Sequence, residues 1–211
     1  MTEKTQSILF YIHDPMCSWC WGFNKTWQIV KQSVSNQVNI QCITGGLAPD
    51  SDDPMPQAMQ TAIASYWQTI QQRIPGTEFN YDFWKKCHPR RSTYPACRAV
   101  LAAKTLDAEK ESAMILGIQH AYYLKAKNPS DIDTLVDVAE EVGLDRTAFE
   151  QKINDPEIEQ LLLNNLQFAR QIGAHGFPSL FLVDYEQEKN INIPIDYNNP
   201  DSIIASISRH L

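Results

Sequence analysis

The sequence predicts an α/β fold in which a strand-bearing core, residues 1–55 together with 173–211, is split by an all-α insertion over 56–172. Three observations predict it. The chain opens with a β-α-β pattern. It then runs through 56–172 with helical periodicity and no clear strand signal. It closes with two short strand signals and an amphipathic helix. A length of 211 residues suits one core with a large insertion.

The apolar run at 8–13 reads as a buried strand. Residues 21–34 read as a helix with Phe23, Trp27, Val30 and Val34 on one face. The stretch from Val38 to Ile43 alternates with period two, as a half-buried strand does, and Gly45-Gly46 breaks it. Two strands joined through a helix favour parallel pairing with a right-handed crossover. Asp50–Pro56 is a polar, proline-bearing loop. Residues 57–73 are helical, with Met59, Ile63, Tyr66, Trp67 and Ile70 read as an inward packing stripe, and Pro75-Gly76 ends the helix. A loop is expected over 76–94, then helices near 95–106, 108–126, 131–142 and 146–153, with Gly143 as a C-cap. Asp155 and Pro156 open the last helix of the insertion as N-cap and first helical residue, and Gly173 stops it. Strands follow at 179–183 and near 191–193, and a helix at 200–210 closes the chain.

Composition narrows the function. With 25 acidic and 18 basic residues the net charge is −7, and no Lys/Arg run exceeds two residues, so nucleic acid and anionic membranes are poor partners. No apolar stretch approaches the length of a membrane span. Met1 to Ser7 is polar and carries no secretory core, so the expected location is cytoplasmic. Five cysteines in a chain of this length are not a secreted disulfide framework. In a reducing compartment a close cysteine pair points to catalysis.

That pair is Cys17-Ser18-Trp19-Cys20, between the first strand and the first helix. The nucleophile of disulfide exchange is a thiolate, and a helix N-terminus favours negative charge through its unpaired N–H groups and dipole. Cys17 is therefore the expected nucleophile. Cys20, one helical turn further in, is the expected resolving thiol. Zinc would need a second close ligand pair, and Cys87-His88 has the wrong spacing, so no metal is expected.

Far downstream stands His175-Gly176-Phe177-Pro178-Ser179, where a proline opens a strand because it has no N–H to give the ladder. On these residues alone a trans peptide is the default. The order of elements, with C-x-x-C opening a helix and G-x-P before a returning strand, resembles the thioredoxin superfamily, and within it the DsbA-like branch. The run from Asp14 through Cys17-Ser18-Trp19-Cys20 to Gly22 resembles its protein-disulfide-isomerase-type subgroup. The resemblance covers essentially the whole chain. It implies a thioredoxin-like fold with an inserted all-α domain, thiol–disulfide exchange at Cys17 and Cys20, a cis Pro178 beside the two sulfurs, and Phe177 as a substrate contact. Protein or small-molecule thiols and disulfides are the implied partners. No resident cofactor is implied, with glutathione as a conceivable co-substrate. The Ser18-Trp19 dipeptide lacks the histidine of the strongly oxidising members, so the thiolate gains less stabilisation there and a reductase or isomerase role is expected. The alternative is a glutathione-dependent isomerase or transferase, similar to 2-hydroxychromene-2-carboxylate isomerases and kappa-class transferases. Those usually carry serine where Cys17 stands, and retention of both thiols weighs against them.

Around the pair, Trp19 is read as an apolar rim for substrate and Trp21 as packing. His13 and Asp14 are candidates for moving a proton at Cys20, although capping and local hydrogen bonding are commoner roles. Cys42 is read as core, Cys97 as a small buried hydrophobe with exchange with the active pair or pairing with Cys87 as the lesser alternatives, and Arg90-Arg91-Ser92 as a solvated face rather than a place on the insertion near the site.

Overall fold

The computed structural model describes residues 7–211. The expectation of a leaderless N-terminal segment falls on residues outside this range, apart from Ser7.

Strand β1, Ile8–His13, is the second strand of a four-stranded sheet ordered β2-β1-β3-β4, where β2 is Asn39–Thr44, β3 Ser179–Asp184 and β4 Lys189–Ile193. β1 runs parallel to β2, as the crossover rule predicts, and antiparallel to β3. Tyr11 thus lies beside Cys42 on one side and Leu180 on the other. Period-two alternation sends the side chains of β1 to two different layers. Leu9 and Tyr11 face helix α1, Ser18–Val34, and helix α9, Pro200–Ser208. Phe10 and Ile12 face the other way, into a smaller cluster with Phe168 and Ala169 of helix α8, Pro156–Gln171.

Between β2 and α8 run α2 (Gln57–Arg73), α3 (Phe83–Lys86), α4 (Tyr94–Leu106), α5 (Glu111–Tyr123), α6 (Ile132–Glu141) and α7 (Arg146–Ile153). α4 is the hub of this group and packs against α5, α7 and α8. Its alanines at 96, 99, 102 and 103 are all buried. Short side chains let neighbouring helix axes come close, and alanine has the best helix propensity. α8 begins as expected: the Asp155 carboxylate accepts from the Glu157 N–H at 2.9 Å, and Pro156 is the first helical residue. Gly143 takes φ +88 after α6.

Four expectations need correction. α1 begins at Ser18 rather than 21, so Cys17 is its N-cap and Cys20 lies within its first turn. The loop over 76–94 contains the one-turn helix α3, held by the burial of Phe83. The helix expected at 108–126 is a 3-10 turn over Ala108–Lys110, capped by Asp107, followed by α5. The stripe on α2 is only partly inward: Trp67 and Ile70 are buried, but Met59 is 38% exposed and Tyr66 53%.

Candidate functional site

The site is built where β1 ends, α1 begins and the chain returns before β3. Cys17 is the N-cap of α1, with φ −80 and ψ 116, and its carbonyl accepts the Trp21 N–H at 3.0 Å. Its side chain makes no cap bond to the helix. Instead its thiol donates to the Phe177 carbonyl oxygen, 3.4 Å away. The Phe177–Pro178 peptide is cis, as the resemblance implies. Cys20, in the first turn, is fully buried, whereas Cys17 keeps 6% exposure and lines an open groove. All five cysteines are free thiols.

The two thiols meet different surroundings. Burial, with Cys17 beside it, pushes the Cys20 thiol well above the usual range, and the Asp14 backbone N–H works against this. Tyr11 lies next to it, stacked on Trp27 with ring centroids 4.4 Å apart. Burial and the nearby thiols, Cys20 foremost, push the Tyr11 hydroxyl up as well. Cys20 therefore rests as a protonated thiol in an apolar layer, while Cys17 meets the solvent-open side.

Asp14 ties the cysteine loop to two other segments. Oδ1 accepts the Met16 N–H at 2.7 Å, and Oδ2 accepts the Leu47 N–H and the Thr93 hydroxyl, each at 2.7 Å. The buried Cys97 thiol reaches Oδ2 at 3.7 Å. Burial raises the Asp14 carboxyl, and bonds from Thr93, Leu47 and Met16 partly offset it. Asp14 is thus a structural clamp between β1, the loop after β2 and the start of α4. His13 is fully buried with neither ring nitrogen bonded. Burial, then the charge of Lys104, lowers it to about 3, so it is neutral at physiological pH.

A groove of about 340 Å³ opens beside Cys17. Ser18, Trp19 and Phe177 border it, together with Met59, Ile63 and Tyr66 from α2. Trp19 is half-buried, its ring 5.4 Å from that of Tyr197, with the Arg73 guanidinium 6.0 Å from its centroid. Trp21 packs as expected, stacked on Tyr123 at 5.7 Å. Sequence reasoning missed Met59 and Tyr66 as groove residues, and of its two readings of Arg90 and Arg91 the structure bears out the place near the site and not the preferred solvated face. Pro178 is buried behind Phe177, and His175 is exposed. Among the described residues no three His, Cys, Asp or Glu side chains gather as a metal site, and no helix is long and apolar enough to cross a membrane.

Residues 10–205 match the thioredoxin family. The ClpXP adapter protein SpxH of Bacillus subtilis (strain 168) is 20% identical over 198 residues, covering 93% of this chain and 64% of that protein. The SpxH of Halalkalibacterium halodurans is 22% identical over 209 residues, covering 92% of this chain and again 64% of that protein. The chain thus spans less than two thirds of the length of these relatives. Among solved structures, a proposed protein disulfide isomerase from Nitrosomonas europaea superimposes with TM-score 0.85 at 25% identity, over 98% of this chain and 97% of that one. The cytosolic disulfide reductase DsbM from Pseudomonas aeruginosa shares the fold at TM-score 0.77 and 22% identity, over 96% and 98%. The family match spans both cysteines, the inserted helices and the cis proline, and the similar structures share the fold over nearly their whole length, so the chain belongs to the thioredoxin family.

Proposed function

We propose that the protein is a thiol–disulfide oxidoreductase that works chiefly in the reducing direction, in a reducing compartment such as the cytoplasm. The observation that carries this reading is the asymmetry of the pair. Cys17 sits at the N-cap of α1 facing a groove, 3.4 Å from the Phe177 carbonyl, and Cys20 lies fully buried one turn behind it. Attack at a substrate disulfide belongs to the sulfur that substrate can reach. Resolution belongs to the one it cannot. Phe177 and Trp19 line the groove beside the reacting sulfur and form the substrate contact, with the cis Pro178 behind Phe177 setting where its carbonyl stands.

The direction rests on chemistry near the pair. Ser18 and Trp19 offer no cation to hold a thiolate, and burial keeps the proton on Cys20. Neither residue stabilises the reduced form in the way that makes a strong oxidant. The name of the structurally similar DsbM, a cytosolic disulfide reductase, gives a precedent in the same fold. Protein disulfides and small-molecule disulfides are both candidate substrates, with glutathione as a candidate co-substrate.

The test is the reduction potential of the pair, read by alkylation and mass shift across glutathione buffers. A potential within or below the cytosolic poise of roughly −220 to −320 mV agrees with a reductase. A markedly higher value would make it an oxidant or isomerase. A pair that never closes would remove the oxidoreductase reading and favour the glutathione-dependent isomerase or transferase.

A further inference from the structure

The groove beside Cys17 is small and mostly apolar. Its volume of about 340 Å³ lies at the lower end of the roughly 300–1,000 Å³ typical of small-molecule sites. Met55, Met59, Ile63, Tyr66 and Phe177 supply apolar surface, and no acidic side chain lines it. Among the described residues its only charged lining groups are two adjacent arginines in different circumstances. The Arg90 guanidinium is occupied, donating to Asp131 Oδ1 at 2.6 Å and to the Ser130 carbonyl at 2.8 Å. Arg91, half-buried, has no hydrogen bond or ion pair among the described residues. Its field reaches the Asp14 carboxylate, but those oxygens are already taken by Met16, Leu47 and Thr93. A guanidinium held against apolar walls with none of its N–H groups bonded to a protein acceptor has its donors free for a ligand, and an anion in the groove would satisfy them.

Resting on the oxidoreductase reading above, we propose that Arg91 anchors a carboxylate of the substrate, so that the preferred substrates are small anionic disulfides and thiols. The planar fork of a guanidinium matches a carboxylate with two parallel hydrogen bonds, which fixes orientation as well as charge. With its carboxylate on Arg91, such a substrate lays its sulfur against Cys17. The Cys17 thiolate forms a bond to one sulfur and expels the other half as a thiolate, which takes a proton from solvent. Cys20 then loses its proton, bonds to Cys17 Sγ and expels the second half, which is protonated in turn. Two electrons pass from the pair to the substrate. The Cys17–Cys20 disulfide is reduced again by a cellular dithiol or two monothiols.

Three disulfides of similar size test this: dithiodiglycolate (anionic), bis(2-hydroxyethyl) disulfide (neutral) and cystamine (cationic). The pre-reduced protein is mixed with each in excess, and closure of the pair is followed by mass shift after alkylation. For Arg91→Gln the rate ratio of dithiodiglycolate to the neutral disulfide falls about tenfold against the wild type, and the ratio of cystamine to the neutral one rises. Arg91→Lys keeps most of the anionic preference. Because each variant is its own reference, changes in thiol reactivity common to all substrates cancel. Ratios that Arg91→Gln leaves unchanged would overturn the anchor while leaving the oxidoreductase reading intact. A wild-type protein that reacts with none of the three would remove both.

Discussion

The ring of Phe177 occupies the space that a side chain at Gly45 would need. A Cβ placed on Gly45 would come within 2.9 Å of Phe177 Cδ1, and closer still to Cε1 and Cζ. The residue next to the cis proline is thus seated on the end of β2, and the bare backbone at Gly45 is what admits it. Gly45→Ala should displace the Phe177 ring and its carbonyl from Cys17, at a cost of about 2 kcal/mol in stability. Denaturant midpoints of Gly45→Ala, Phe177→Ala and the double variant check this: the double variant should lose less than the sum of the two single losses, because the overlap is gone. Additive losses would mean that the ring is not seated as described.

Cys17→Ser should abolish turnover, and Cys20→Ser should accumulate mixed disulfides with substrate, visible as non-reducing gel adducts. In the wild type the resolving step should speed up with pH. Burial, the leading cause of the raised Cys20 value, persists when Cys17 is tied up in a mixed disulfide. The thiolate fraction of Cys20 then grows about tenfold per pH unit below its pKa. Stopped-flow decay of a preformed mixed disulfide between pH 7 and 9 would show this slope, and a flat profile would assign the proton elsewhere.

Neighbouring residues of α2 should behave in opposite ways. Trp67 is fully buried among Phe79, Phe83 and Tyr123, so Trp67→Ala should cost about 3–5 kcal/mol. Tyr66 stands 53% exposed on the groove, so Tyr66→Ser should change stability by no more than about 0.5 kcal/mol while raising KM severalfold for disulfides with apolar substituents. Thermal melts and steady-state kinetics separate the two. A Tyr66 variant with unaltered KM would remove α2 from the substrate surface.

His13 should produce an acid limb in the stability profile. Its folded value is lowered from 6.5 to about 3, chiefly by burial. A depressed value means that its contribution is fully present above pH 6.5 and is lost as pH falls towards 3. The linked energy is on the order of 5 kcal/mol. His13→Phe keeps a ring against Tyr11 and carries no titrating nitrogen, so urea unfolding at pH 4 and pH 7 should show a smaller difference for the variant. An equal difference in both proteins would place the acid sensitivity at other groups.

What the sequence disclosed about this site follows from the range of the interactions. Cys17 and Cys20 are recognised by their spacing, Phe177-Pro178 by its neighbours, and α2 by the prolines at 56 and 75 that bracket it. Each is local. The start of α1 was misread because Cys17 caps it without a side-chain bond and no Ser, Thr, Asp or Asn stands at that position. Gly45 showed as a strand breaker, but its reason is Phe177, far along the chain. Met59 and Tyr66 share a helix face with Trp67, and periodicity alone does not say where the neighbouring packing ends. The same holds for the two arginines. Which of them is neutralised depends on Asp131 arriving beside Arg90, a contact made only in the folded chain.

Cys17 and the carbonyl it touches are 160 positions apart in the chain and 3.4 Å apart in space. During synthesis at about 5–20 residues per second, the nascent chain carries both thiols for roughly 8–30 s before Phe177 has been added. Through that interval the segment bearing the two thiols lacks one wall, and small oxidants in the cell have access to Cys20, which the finished fold buries. The length of the helical insertion thus acts as a clock on the newborn chain, setting how long the buried thiol is left unguarded on the ribosome.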